Sequence, residues 1–108
     1  VNIEKGKLFE HAVILEIIRR IRTLALDATV HFWRTSGGAE VDCILDFGDE
    51  VIPIEIKASA RVSLSELKGL QSFLDSYPKQ AKRAYVVTMG QLPERLTANI
   101  TAIPWNHL

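Results

Sequence analysis

The chain has 108 residues, enough for one domain with a single core and no covalent staples. Hydrophobic residues make up 47% and charged residues 24%, a globular balance that excludes intrinsic disorder. Formal net charge is zero and Cys43 is the lone cysteine, so bulk attraction to nucleic acid, internal disulfides and cysteine-rich metal centres are all excluded.

Apolar residues at Val13, Ile14, Ile17, Ile18, Ile21 and Leu24 recur at helical spacing and predict a first helix over 7–25. Arg19, Arg20 and Arg22 lie off this stripe. With Lys5 and Lys7, and with Lys79, Lys82 and Arg83, they are the local basic groups available to a polyanion, though charge alone favours plain solvated faces. A strand is expected over 30–34, a turn at Ser36-Gly37-Gly38, a second strand over 40–47 and a third over 50–57. Gly48-Asp49 between the last two reads as a type II′ hairpin loop, with glycine where φ must be positive. Ser63-Leu64-Ser65-Glu66 is a capping box and starts a second helix. Leu64, Leu67, Leu70 and Leu74 give that helix its apolar stripe, and Pro78 ends it. Short strands follow over 84–88 and 100–103. The order α-β-β-β-α-β, with a final β, predicts an α/β domain: a mixed sheet flanked by helices on opposite faces. No apolar run approaches the ~20 residues of a membrane-spanning helix and no signal peptide is visible, so a cytoplasmic location is expected.

A two-residue loop at Gly48-Asp49 fixes the hairpin register. Phe47 then faces Glu50, Asp42 faces Glu55 and Glu40 faces Lys57. Directly opposed side chains have Cβ atoms ~5 Å apart, and Asp42–Glu55 falls on a non-hydrogen-bonded pair, where they approach most closely. Two such carboxylates repel unless one keeps its proton or a cation sits between them. A hard divalent ion such as Mg²⁺ suits a pair of this kind. Glu55 and Lys57 are two apart and emerge on one face, with Ile52, Ile54 and Ile56 on the other. The lysine is placed to stabilise phosphate charge or orient water, although an ion pair with Glu40 would account for it equally. Pro53 lacks an N–H and conflicts mildly with a fully paired central strand. Glu10 lies on the core-facing line of the first helix. A charge there is costly unless paired or bound to metal, while a first-turn glutamate favoured by the helix dipole is the alternative.

Other residues carry weaker signals. His11, His31 and His107 lack metal-ligand spacing. Cys43 is expected in the core with Val41 and Leu45. Trp33 and Trp105 are read as packing residues before base-stacking ones, and Asp46 as solvated near its turn.

Three phrases carry a resemblance: Gly6-Lys7-Leu8-Phe9-Glu10, the run Arg34-Thr35-Ser36-Gly37-Gly38-Ala39-Glu40-Val41-Asp42, and Ile54-Glu55-Ile56-Lys57-Ala58-Ser59. Together they resemble the PD-(D/E)XK nuclease superfamily, and more closely the uncharacterised C-terminal domain of predicted bacterial and archaeal AAA-type ATPases. The ending Ile103-Pro104-Trp105 is similar to that group too. The resemblance implies a restriction-endonuclease-like core over residues 1–108, carried at the C-terminal end of a longer ATPase, and the start at Val1 fits a fragment. It implies that Asp42, Glu55 and the Ile56 carbonyl ligate Mg²⁺ or Mn²⁺, that Glu10 completes the site, and that Lys57 assists catalysis. The implied activity is hydrolysis of phosphodiesters in DNA. The implied alternative is an inactive nuclease-like module that positions the ATPase on nucleic acid or protein. Gln71 is the nearest counterpart of a helical glutamine found in the superfamily, and a weak one, because its spacing to Tyr77 does not match. The chain has no Gly-x-x-x-x-Gly-Lys-[Ser/Thr] phosphate loop of its own.

Overall fold

The computed structural model describes residues 2–108, with side-chain environments from Glu4 onward. Helix α1 spans Asn2–Thr23. Strands β1 (Thr29–Arg34), β2 (Glu40–Asp46) and β3 (Val51–Ile56) follow, then helix α2 (Lys68–Ser76) and strands β4 (Ala84–Thr88), β5 (Glu94–Arg95) and β6 (Ile100–Pro104). The strands form one six-stranded mixed sheet in the order β1-β2-β3-β4-β6-β5. The first three pair antiparallel, β3, β4 and β6 run parallel, and β5 returns antiparallel at the edge. The expected α/β class and mixed sheet are therefore present, with β5 as an addition that two polar residues gave no reason to expect.

Local chemistry explains the boundaries. Helix α1 ends in a Schellman motif: Leu26 N–H donates to the Ile21 carbonyl (3.0 Å) and Ala25 N–H to the Arg22 carbonyl (3.2 Å). Ala25 adopts φ +52°, a left-handed conformation usually left to glycine. Gly48 has φ +93° and Phe47 N–H donates to the Glu50 carbonyl (2.9 Å), closing the expected hairpin loop. At the second helix, Glu66 accepts the Ser63 N–H (3.0 Å), the return half of the capping box. The first turn, Leu64–Leu67, is 3₁₀ before the chain settles into α2. Leu67, Leu70 and Leu74 are buried as expected. Leu64 is 69% exposed, a correction to the stripe, because it sits in that first turn before the helix reaches the sheet; Phe73 fills the core instead.

Two apolar layers cover the sheet. Val13 and Ile17 of α1 pack on Ile52, Ile54 and Ile56 of β3 and on Val87. Leu70, Phe73 and Leu74 of α2 pack on Val41, Ile44, Val86 and Ile100. The helices thus lie on opposite faces. Seven buried side chains on the α1 side and ten on the α2 side, at roughly 1.5–3 kcal/mol for each large one, supply the main driving force for folding. At the α2 contact, a Cβ on Gly69 would collide with the Glu40 carbonyl, so glycine lets the helix press directly onto the start of β2.

The register of β2 against β3 follows the hairpin expectation: Asp46 faces Val51, Leu45 faces Ile52, Ile44 faces Pro53 and Cys43 faces Ile54. Pro53 fits because the parallel ladder with β4 starts one residue later, at Ile54↔Tyr85. Against β1, however, the register slips. His31 faces Ile44 while Trp33 faces Val41, so Phe32 stands opposite two residues, Asp42 and Cys43. This is a β-bulge. It reverses the alternation, leaving Cys43 and Leu45 on the α1 side but turning Val41 to the α2 side with Ile44. The expectation that Val41 shares a face with Cys43 is corrected by this one extra residue.

Candidate metal-binding carboxylate site

Paired backbone register between β2 and β3 extends to Cys43↔Ile54, and beyond it side chains enter the ladder. Ile56 N–H donates to Asp42 Oδ2 (2.9 Å), and Asp42 N–H donates to Glu55 Oε1 (3.3 Å). The bulge is what allows this. It frees the Asp42 carboxylate from the pleat and aims it along the strand gap. The two carboxylates expected to abut do so.

Glu55 is 7% exposed, an unusual burial for a glutamate. Burial, then the neighbouring Asp42 charge and the hydrogen bond it shares, push the Glu55 carboxyl up to about 8; Lys57 offsets this only in part. Near neutral pH a proton therefore sits between the two carboxylates. Lys57 Nζ lies 3.9 Å from Glu55 Oε2 and keeps about a third of its side chain exposed. Strand alternation explains the shared face.

Glu40 does not pair with Lys57. It pairs across β1 with Arg34 (3.3 Å), which faces it in the register. The slip at the bulge is the reason, and it leaves Glu55, not Glu40, as the carboxylate beside the lysine.

Glu10 projects from α1 into a cleft of about 480 Å³ that it shares with Lys7, His11, Phe32, Arg34 and Asp42. Partial burial, then the Asp42 charge, raise its carboxyl above the ordinary value. Asp42 is thus the common neighbour: it acts on Glu55 and on Glu10, which do not act on each other. Alternation accounts for the separation, since Ile54 and Ile56 face α1 and Glu55 between them faces away. Among the described residues no group of three or more His, Cys, Asp or Glu side chains has metal-holding geometry. The structure brings together Asp42, Glu55 and Lys57, and sets Glu10 beside Asp42 in the adjoining cleft.

The remaining candidates are engaged elsewhere. Gln71 donates to Asp75 (2.9 Å) along its own helix. Trp33 packs edge-on against Phe73, with ring centroids 5.2 Å apart. His31 bonds to Thr29 (2.8 Å), and Asp46 accepts the Gly48 N–H (2.8 Å). Arg19 and Arg20 pair with Glu16, and Arg83 with Glu50 (3.2 Å), which thins the basic patches. Burial pushes the Cys43 thiol up to about 12, as befits a core residue. The feature that the sequence reading missed is Phe32, an exposed ring over the bulge; its only signal was its place between Val30 and Trp33 in a short strand.

Fold and site define an α/β domain whose mixed sheet carries two abutting carboxylates beside a lysine. A family described as a domain of unknown function, DUF4143, matches residues 5–108, and the chain belongs to it. No curated protein and no solved structure matches the chain. No helix among the described residues is long and apolar enough to cross a membrane.

Proposed function

We propose that this domain is a divalent-metal-dependent nuclease-type module of the PD-(D/E)XK kind that hydrolyses phosphodiesters in DNA. The observation that carries the reading is the buried Asp42–Glu55 pair, two abutting carboxylates with Lys57 alongside, where a hard cation would fit. The donor set suits Mg²⁺ or Mn²⁺: two carboxylates and the neighbouring Ile56 carbonyl, all hard oxygens, with Asp42 also lining the adjoining cleft. The order α1-β1-β2-β3-α2-β4 supports a restriction-endonuclease-like core. The phrases around Glu10, Asp42 and Glu55 support attachment to a AAA-type ATPase. When bound, the cation would polarise the scissile phosphate and acidify a coordinated water. Asp42 and Glu55 hold the position, Glu10 adds negative charge at its mouth, and Lys57 brings positive charge to the phosphate and orients water.

Calorimetric titration of Mg²⁺ and Mn²⁺ into the protein at pH 7 tests the reading without a guessed substrate. Binding with release of about one proton is expected, and its loss in Glu55→Gln. Absence of binding to the parent protein ends the proposal. Cleavage of duplex, single-stranded and branched DNA then follows, with Lys57→Ala expected to lose it.

A second reading has an observation of its own. Both carboxylates already serve the backbone, Asp42 on Ile56 N–H and Glu55 on Asp42 N–H. A non-cutting module that binds nucleic acid or protein beside an ATPase would keep the pair for this structural reason. It is favoured if the cation binds and no DNA is cut, or if DNA binding survives Asp42→Ala.

A further inference from the structure

Phe32 is 76% exposed on edge strand β1, the largest exposure of any aromatic ring in the described residues. Its neighbour Trp33 turns towards α2 and packs on Phe73, so Phe32 points to the α1 side. There it lines the cleft with Lys7, His11, Arg34, Glu10 and Asp42, directly opposite the bulge that aims Asp42. In that cleft its apolar company is Ile14 and Val41, the rest of the lining being polar or charged, and on its other flank the ring borders a groove with Trp33, Phe73 and Tyr77, yet it stays largely open to solvent. Exposed aromatic faces interleaved with Lys and Arg form the stacking platforms of proteins that hold unpaired bases. A duplex offers no free base face to such a ring.

Resting on the nuclease-type reading, we propose that Phe32 is the base-stacking residue of this cleft and sets a preference for single-stranded polynucleotide, with Lys7 and Arg34 contacting the flanking phosphates. The local charge makes binding conditional. The carboxylates of Glu10, Glu40 and Asp42 outnumber the cations of Lys7 and Arg34, so a phosphate chain enters only with a divalent cation present. The ring supplies the part of the affinity that salt does not screen.

Fluorescence anisotropy tests this with labelled fifteen-nucleotide oligothymidylate, oligouridylate and a duplex of equal length, in Ca²⁺ and in EDTA. Wild type should bind the single strands more tightly than the duplex, and only with the cation. Phe32→Ala and Phe32→Leu should weaken single-strand binding about tenfold to a hundredfold, and Phe32→Tyr should retain it. The relative affinity of the two single strands separates DNA from RNA as the source. Equal affinity of wild type and Phe32→Ala, or a duplex bound as tightly as a single strand, overturns the inference. Titration of Mg²⁺ into Phe32→Ala keeps the two readings apart, because cation binding at Asp42 and Glu55 should be unchanged whether or not the ring stacks a base.

Discussion

Replacing Glu55 by glutamine should make the protein more stable at pH 8 and flatten its stability between pH 5 and 8. The carboxyl has an ordinary value of 4.5 and stands at about 8 in the fold. Below pH 4.5 the group is protonated in both folded and unfolded chains, and its favourable contribution is fully present. Between the two values the unfolded chain has released the proton while the folded chain retains it. Stability therefore falls as pH rises, by a little over 1 kcal/mol per pH unit. The decline ends once pH passes the folded value, at a total on the order of 5 kcal/mol. Glutamine imitates the protonated acid: its carbonyl can accept the Asp42 N–H and its amide can donate to the Asp42 carboxylate. Urea unfolding followed by circular dichroism at pH 5, 6, 7, 8 and 9, in EDTA, gives both curves. They should converge towards pH 4.5 and stand several kcal/mol apart by pH 8. Protonation changes common to both proteins cancel in the difference. Parallel curves, or a variant weaker than wild type at pH 8, would refute the shared-proton account. Mg²⁺ or Mn²⁺ at a hundred times its dissociation constant should restore about 3 kcal/mol to the wild type at pH 8 and little to the variant.

Gly69→Ala should destabilise the domain by at least ~1–3 kcal/mol in denaturant melts, because collision with the Glu40 carbonyl outweighs the ~1 kcal/mol that alanine gains in a helix. Ala25→Gly should act the other way, relieving left-handed strain at the end of α1; a net gain of about 0.5–1 kcal/mol would raise the melting temperature by a few degrees in calorimetry. Cys43, fully buried with its thiol held far above neutrality, should resist iodoacetamide in the native protein and react only once urea unfolds it, as mass spectrometry would record.

The strongest local signals in the sequence were those with backbone causes. Gly48-Asp49 fixed the loop, the loop fixed the pairing, and the pairing placed Asp42 against Glu55 before any side chain was seen. Strand β4 was equally readable from a short apolar run, and the body of helix α1 from apolar periodicity, but α1 starts at Asn2 and not at the expected Lys7, because its first turns are largely polar and carry no periodic signal. The bulge at Asp42–Cys43 was not, because a strand that reads as regular alternation carries no mark for one unpaired residue. Its consequences were hidden with it: the switch of Val41 to the other face, the Arg34–Glu40 pair and the exposure of Phe32. The position of Glu10 was half legible. Helical periodicity put it on the core side of α1, but which side of the sheet α1 covers is settled by tertiary packing on Ile52, Ile54 and Ile56.

The extra residue in β2 works as a frameshift in space. Upstream of it the strand is out of phase with the residues downstream, so that Val41 joins Ile44 in one apolar layer while Cys43 and Leu45 enter the other. Removing one residue at this point would turn Val41 and everything before it inside out, although the site borders an open cleft where length changes are ordinarily tolerated. Chain length here is thus as tightly constrained as side-chain identity, and the constraint comes from the same residue that carries the carboxylate.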